Sequence, residues 1–123
     1  MAFGDIGGAV TELVITCTTC SDGVVAIAKG DSLALVDNYT IDNIGVEGCP
    51  VFGQALASAD RNSQAIPVKV KGVAIFSFNE FGVRAKVGGK VVCDTKGFVV
   101  PVNNGVGTIV KVDRAIGKLH VLL

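Results

Sequence analysis

Hydrophobic and polar residues alternate with period two along most of this chain, and no window of eleven or more residues carries an apolar stripe at helical spacing. Short runs rich in Val, Ile, Thr and Phe are bounded by Gly, Asn and Asp, the pattern of strands and turns. A first strand is expected from Glu12 to Thr18, ending at the turn Cys20-Ser-Asp-Gly23. Val24-Val-Ala-Ile-Ala28 and Ser32-Leu-Ala-Leu-Val36 flank the polar link Lys29-Gly-Asp31 and read as a hairpin. Residues 40–48 read as a loop, with a short strand around Tyr39-Thr-Ile41.

Val51 to Ala57 follows as a strand and Ser58 to Ser63 as a polar turn, and then the longest run extends from Ala65 to Phe78. In its first half Ile66, Val68 and Val70 alternate with Pro67, Lys69 and Lys71, giving one apolar and one polar face. Pro67 has no amide to donate, so its side of the strand should be an edge or lie at the strand's start. Beyond Gly72 the run is apolar on both faces and is expected to bend into the core, which would make Ile75→Asp an unfolding substitution. Val83–Val87, Lys90–Asp94 and Phe98–Val102 are further strands, separated by turns at Gly88-Gly89 and Thr95-Lys-Gly97. After Asn103-Asn-Gly105, the segment Gly107-Thr-Ile-Val-Lys-Val-Asp-Arg-Ala-Ile-Gly-Lys-Leu-His-Val-Leu-Leu123 reads as a closing hairpin. About nine short strands and sixteen glycines predict an all-β, single-domain small barrel or sandwich over residues 12–123, with a flexible N-terminal arm over residues 1–11.

Half of the 123 residues are hydrophobic and 18% are charged, enough apolar material for one packed core and too much for a disordered chain. Eleven basic and eleven acidic side chains cancel, so there is no concentrated positive field for nucleic acid. The apolar runs are far shorter than the ~20 residues of a membrane-spanning helix, and no membrane partner is expected. The start, Met1-Ala-Phe-Gly-Asp-Ile-Gly-Gly8, lacks the basic and apolar regions of a secretory signal, which points to a cytosolic setting.

Candidate chemistry is sparse. Cys17-Thr-Thr-Cys20 has the spacing of a redox or half-zinc motif, but Cys49 and Cys93 stand 44 residues apart and do not form the second close pair of a zinc site. A redox cysteine of the thioredoxin type also needs a helix N-terminus, whereas β-branched Thr18 and Thr19 favour extended backbone. The four thiols are therefore expected to be reduced and mostly buried. The one histidine, His120, falls on the strand face opposite Leu119 and Val121 and reads as a surface or interface residue. The acids Asp22, Asp31, Asp37, Asp42, Asp60 and Asp113 fall at turns, where Asp caps local backbone. No enzyme, cofactor or metal site is expected.

Four stretches carry a family likeness: Gly23-Val-Val-Ala-Ile-Ala-Lys-Gly-Asp-Ser-Leu-Ala-Leu35, Val51 to Ala57 leading to Ile66-Pro-Val-Lys-Val-Lys-Gly-Val73, Val87-Gly-Gly-Lys-Val-Val92, and the ending His120-Val-Leu-Leu123. In this pattern the chain resembles the small β-barrel capsid cement, or head decoration, proteins of tailed bacteriophages. It departs from the family's Val-Gly-Asp-x-Val step by having Gly89 in place of the acid. The resemblance implies a structural virion protein made in the host bacterial cytoplasm. Such a protein binds the capsid exterior after expansion, as dimers or trimers, and staples neighbouring copies of the major capsid protein.

Under that reading Phe3 and Ile6 of the arm are apolar anchors for the shell. Phe76 and Phe78, two apart on one face, serve the core first and an oligomer interface second, and His120 joins the contact surface. A carrier-type barrel like the biotinyl and lipoyl domains is the alternative, suggested by Lys29-Gly-Asp-Ser-Leu-Ala-Leu-Val36. Against it, Lys69 and Lys71 sit within a strand and not at a hairpin tip.

Overall fold

The structure is a computed structural model and describes residues 12–123. The arm assigned to residues 1–11, with Phe3 and Ile6, lies outside the described residues. Five strands, β1 (Leu13–Thr19), β2 (Ser32–Asp37), β3 (Thr40–Asp42), β4 (Gly53–Ala55) and β5 (Ala65–Lys71), close into a barrel in the order β1-β3-β2-β4-β5. β5 returns antiparallel to β1 from Leu13↔Lys71 to Thr18↔Ala65, while β1 and β3 run parallel. Cys17, Leu33, Ile41, Ala55, Ile66 and Val68 fill the interior. The expected alternation holds along β5, where Ile66 and Val68 are buried and Ala65 and Pro67 are exposed. The Pro67 carbonyl accepts from the Leu56 amide just past the end of β4, and its donorless nitrogen, on the same side, returns no bond, so the β4–β5 ladder stops there. A Cβ on Gly53 would come within 2.6 Å of both the Lys69 carbonyl oxygen and Val68 Cγ1, so only glycine lets β4 lie this close to β5.

The remaining strands form a second layer. β6 (Val73–Ser77), β10 (Lys118–Leu122) and β9 (Thr108–Asp113) make a three-stranded sheet, and β7 (Lys90–Cys93) pairs with β8 (Val99–Val102). The closing hairpin expected from the sequence is β9–β10, in register from Leu122↔Thr108 to Lys118↔Asp113. Phe76, Val91, Cys93, Val99, Ile109, Leu119 and Val121 pack a core that also takes in Ala34, Val46 and Val51 from the first half of the chain. Burial of a Phe side chain is worth roughly 1.5–3 kcal/mol, and Phe76 is fully buried.

Gly72, at φ +111°, breaks the long run into β5 and β6 and sends the second part into a different sheet. Two barrel side chains seal the joint. Lys69 Nζ donates to the Val73 carbonyl at 3.2 Å and Gln54 Nε2 to the Ile75 carbonyl at 2.8 Å. Those carbonyls lie on the edge of β6 away from β10. Gln54 and Lys69 are themselves cross-strand partners.

Four sequence expectations need correction. The segment from Val24 to Ala28 makes a single bridge, Ile27 to Ala59, instead of a hairpin with β2. Its other side is satisfied by side chains: Asp31 Oδ2 accepts from the Ala28 amide at 2.9 Å, and Asn43 Nδ2 donates to the Ala26 carbonyl at 3.0 Å. These two polar groups stand where a neighbouring strand would be. Residues 83–87 are a loop, because Glu80 accepts from the Ala85 amide at 2.7 Å while Arg114 donates to the Ala85 carbonyl at 2.9 Å and pairs with Glu80. The strand expected from Val51 to Ala57 shortens to Gly53–Ala55. Finally, Ile75 is 47% exposed while Ala74 and Phe76 are buried, so β6 keeps one open face and Ile75→Asp loses its basis as an unfolding substitution.

Candidate functional site

The open face of the β6-β10-β9 sheet presents three rows set by strand register. Val73, Leu122 and Thr108 form one end, Ile75, His120 and Lys111 the middle, and Ser77, Lys118 and Asp113 the other end. The first two rows hold exposed Ile75 and Leu122 beside half-buried Val73 and His120. The third row is polar and ordered, with Lys118 Nζ donating to Ser77 Oγ at 2.7 Å. Alternation puts Leu119 and Val121 in the core and leaves His120 facing outward, as the sequence reading expected. The apolar end begins at Gly72, where an added Cβ would lie 3.0 Å from Glu12 Cγ. Glu12 is held there by Lys69, with Oε2 and Nζ 2.9 Å apart. Glu12, the first of the described residues, therefore lies beside the apolar rows.

The two phenylalanines take the core role. Phe76 is wholly buried and has no surface to offer a partner, and half-buried Phe78 packs against the same core and bridges to Val99. Periodicity puts them on one face, and the packing makes that face the inner one, the role expected first. Lys69 is committed to Glu12 and the Val73 carbonyl, so it is not a lysine displayed for modification.

A second polar feature was not anticipated. A recess of ≈ 560 Å³ is lined by Ala26, Ala28, Ile44, Asp31, Asn43 and Lys96, among others. Asn43 Nδ2 faces two acceptors, the Ala26 carbonyl and Asp31 Oδ2, which fixes the amide's orientation and leaves its buried Oδ1 without a partner among the described residues. Burial pushes the Asp31 carboxyl above its usual range, partly offset by the hydrogen bonds from the Ala28 amide and Asn43. Gly97, at φ +78°, lies against this carboxylate, and a Cβ there would clash with Asp31. These groups chiefly complete the backbone of residues 26–28, and the sequence signal for them was only an Asp and an Asn in turns.

The cysteines divide differently from their spacing. Cys17 is buried in the barrel and Cys20 lies just beyond β1, its Sγ 3.3 Å from Asp42 Oδ2. Extended backbone rises about 3.3 Å per residue, so their Cα atoms are roughly 10 Å apart, too far for a disulfide. Burial raises both thiols, and the Asp42 carboxylate raises Cys20 further, which opposes thiolate chemistry. Cys93 is buried as well, but Cys49 is exposed, so the expectation of mostly buried thiols holds for only part of the set. Among the described residues no three His, Cys, Asp or Glu side chains gather as a metal site. Comparison with known proteins brought no match to a family model or to a curated sequence.

Proposed function

We propose that this chain is a structural virion protein that binds the outer surface of the expanded capsid of a tailed phage and cements neighbouring major capsid protein subunits. The observation that carries the reading is the open sheet face with exposed Ile75 and Leu122, which lies beside Glu12. An exposed apolar row flanked by charged and polar residues is the composition of a protein-binding surface. The all-β fold expected from the family likeness supports the same reading. The surface also suits self-association on a symmetry axis, where one patch meets its own copy. Cementing then follows from linkage: a protein that binds only the expanded shell stabilises that state by mass action.

Co-sedimentation with expanded, undecorated capsids tests this, with unexpanded procapsids as control. Saturable binding to expanded shells alone is expected, and Ile75→Lys with Leu122→Lys should weaken it while leaving the fold intact. Removing residues 1–8 should weaken binding separately. Absence of binding to both kinds of shell would reject the proposal.

A further inference from the structure

The pair of cysteines that the sequence keeps 44 residues apart meets across a strand junction. The Cys93 amide donates to the Cys49 carbonyl at 2.9 Å, and the Gly48 amide donates to the Cys93 carbonyl at 2.8 Å. Gly48 sits at φ +82°. Together these describe a β-bulge in which a left-handed glycine and the residue after it oppose one residue of the partner strand. Cys49 is thereby the direct partner of Cys93. Cys49 shares one of the two bonds and Gly48 the other; residues opposed in an antiparallel ladder have Cα atoms about 4.5–5.5 Å apart, inside the range of roughly 4.4–6.8 Å that a disulfide spans. We propose that Cys49 and Cys93 form a thiol-exchange site, closing to an intramolecular disulfide when a small-molecule disulfide such as oxidised glutathione is present. The inference is independent of capsid binding.

The two thiols have different parts to play. Cys49 is exposed and meets the oxidant first. Its thiolate attacks one sulfur of oxidised glutathione, forming a mixed disulfide and releasing one glutathione thiolate. Cys93 then loses its proton to solvent and attacks the Cys49 sulfur, releasing the second glutathione. Two protein thiols are oxidised and one glutathione disulfide is reduced to two thiols. Burial pushes the Cys93 thiol up to about 11, the Ser32 contact lowers it and the neighbouring Cys49 raises it. Its thiolate is therefore scarce at neutral pH, and closure is the slow step. The new bond would tie the loop between β3 and β4 to β7, joining the barrel covalently to the second layer.

The experiment incubates the purified protein with oxidised glutathione at several pH values and follows intact mass, with peptide mapping of the linked residues. A glutathione adduct on Cys49 should appear first and convert to a species lighter than the starting protein by two hydrogens, with Cys49 and Cys93 in one linked peptide. The conversion should speed up about tenfold per pH unit below the Cys93 pKa. The linked protein should melt on the order of 10 °C higher than the reduced form. Cys49→Ser, at an exposed position that uses only its backbone, should fold normally and abolish the link, while Cys20→Ser should leave it intact. An adduct that persists on Cys49 at every pH would overturn the proposal. So would a link between Cys17 and Cys20 or between two molecules.

Discussion

The barrel and the sheet that follows it solve the same problem in different ways. In β1–β5 the strand order closes on itself, because β5 returns to β1 and each strand has a neighbour on both sides over at least part of its length. The β6-β10-β9 sheet has two edges, and each is covered by neighbouring parts of the chain. Gln54 and Lys69 cap the β6 carbonyls, while on the far side the Gly88 amide and the Gly89 carbonyl pair with Ile109. Closure lets the barrel strands pair among themselves, whereas covering makes the second layer depend on barrel side chains, and Ser32 Oγ of β2 donates in turn to the Phe98 carbonyl. The core of the second layer repeats the lesson, since Ala34, Val46 and Val51 come from the barrel half.

If that dependence holds, the two halves unfold together. Phe76→Ala, in the second core, should cost about 3–5 kcal/mol, and Leu33→Ala, in the barrel, about 2–5 kcal/mol. Urea denaturation followed by amide exchange should show one transition shifted by either change. Protection that survives in β6–β10 when Leu33→Ala opens the barrel would break the comparison.

The joint itself comes next in size. Gln54→Ala removes the donor to the Ile75 carbonyl and should cost about 1–3 kcal/mol, most of it from leaving a covered acceptor unpaired. Faster exchange confined to β6 would locate the loss at the seam. A smaller effect is expected on the open face, where Ile75→Asp should change stability by only about 0.5 kcal/mol. Unfolding of that variant would mean the face is covered in the folded protein.

The smallest effects concern acid. Glu80, on the sheet side, is held below its ordinary value of 4.5, first by the Arg114 hydrogen bond and then by the Ala85 amide. Its stabilisation is present above the ordinary value and is lost as pH falls through the lower folded value. Asp31, on the barrel side, is shifted the opposite way from 3.8 by burial, so the folded state holds its proton more tightly and gains stability as pH falls through the raised value. Glu80→Gln should thus make melting less acid-sensitive, and Asp31→Asn more so. Melting temperatures compared at neutral pH and near pH 3 would check both signs.

How much of this was legible beforehand depends on the range of the interaction. Period-two alternation in Ile66, Val68 and Pro67, the break at Gly72 and the turn of the last hairpin act between near neighbours, and they were readable as strands and corners. The same logic failed for Val24 to Ala28, whose strand-like composition is satisfied by Asp31 and Asn43 instead of a neighbouring strand. It failed for residues 83–87 because a single arginine from the β9–β10 turn ties that loop down. The open face of the second sheet is half legible in the sequence: alternation turns His120 outward, as it is, but sends Ile75 to the core because its apolar neighbours give no sign that one face stays open.

The cysteines make the division sharpest. Spacing drew attention to Cys17 and Cys20, yet an extended backbone holds them apart and shields their thiols. Cys49 and Cys93 had no motif, and a bulge at Gly48 sets them opposite each other. By itself the sequence determined that this chain is all-β, where most of its strands end and that its acidic and basic side chains cancel, since those properties follow from local backbone preference and summed composition. Which faces are buried, which edges are covered and which thiols meet were decided only by the tertiary structure, because each is a contact between segments whose separation along the chain carries no record of their distance in space.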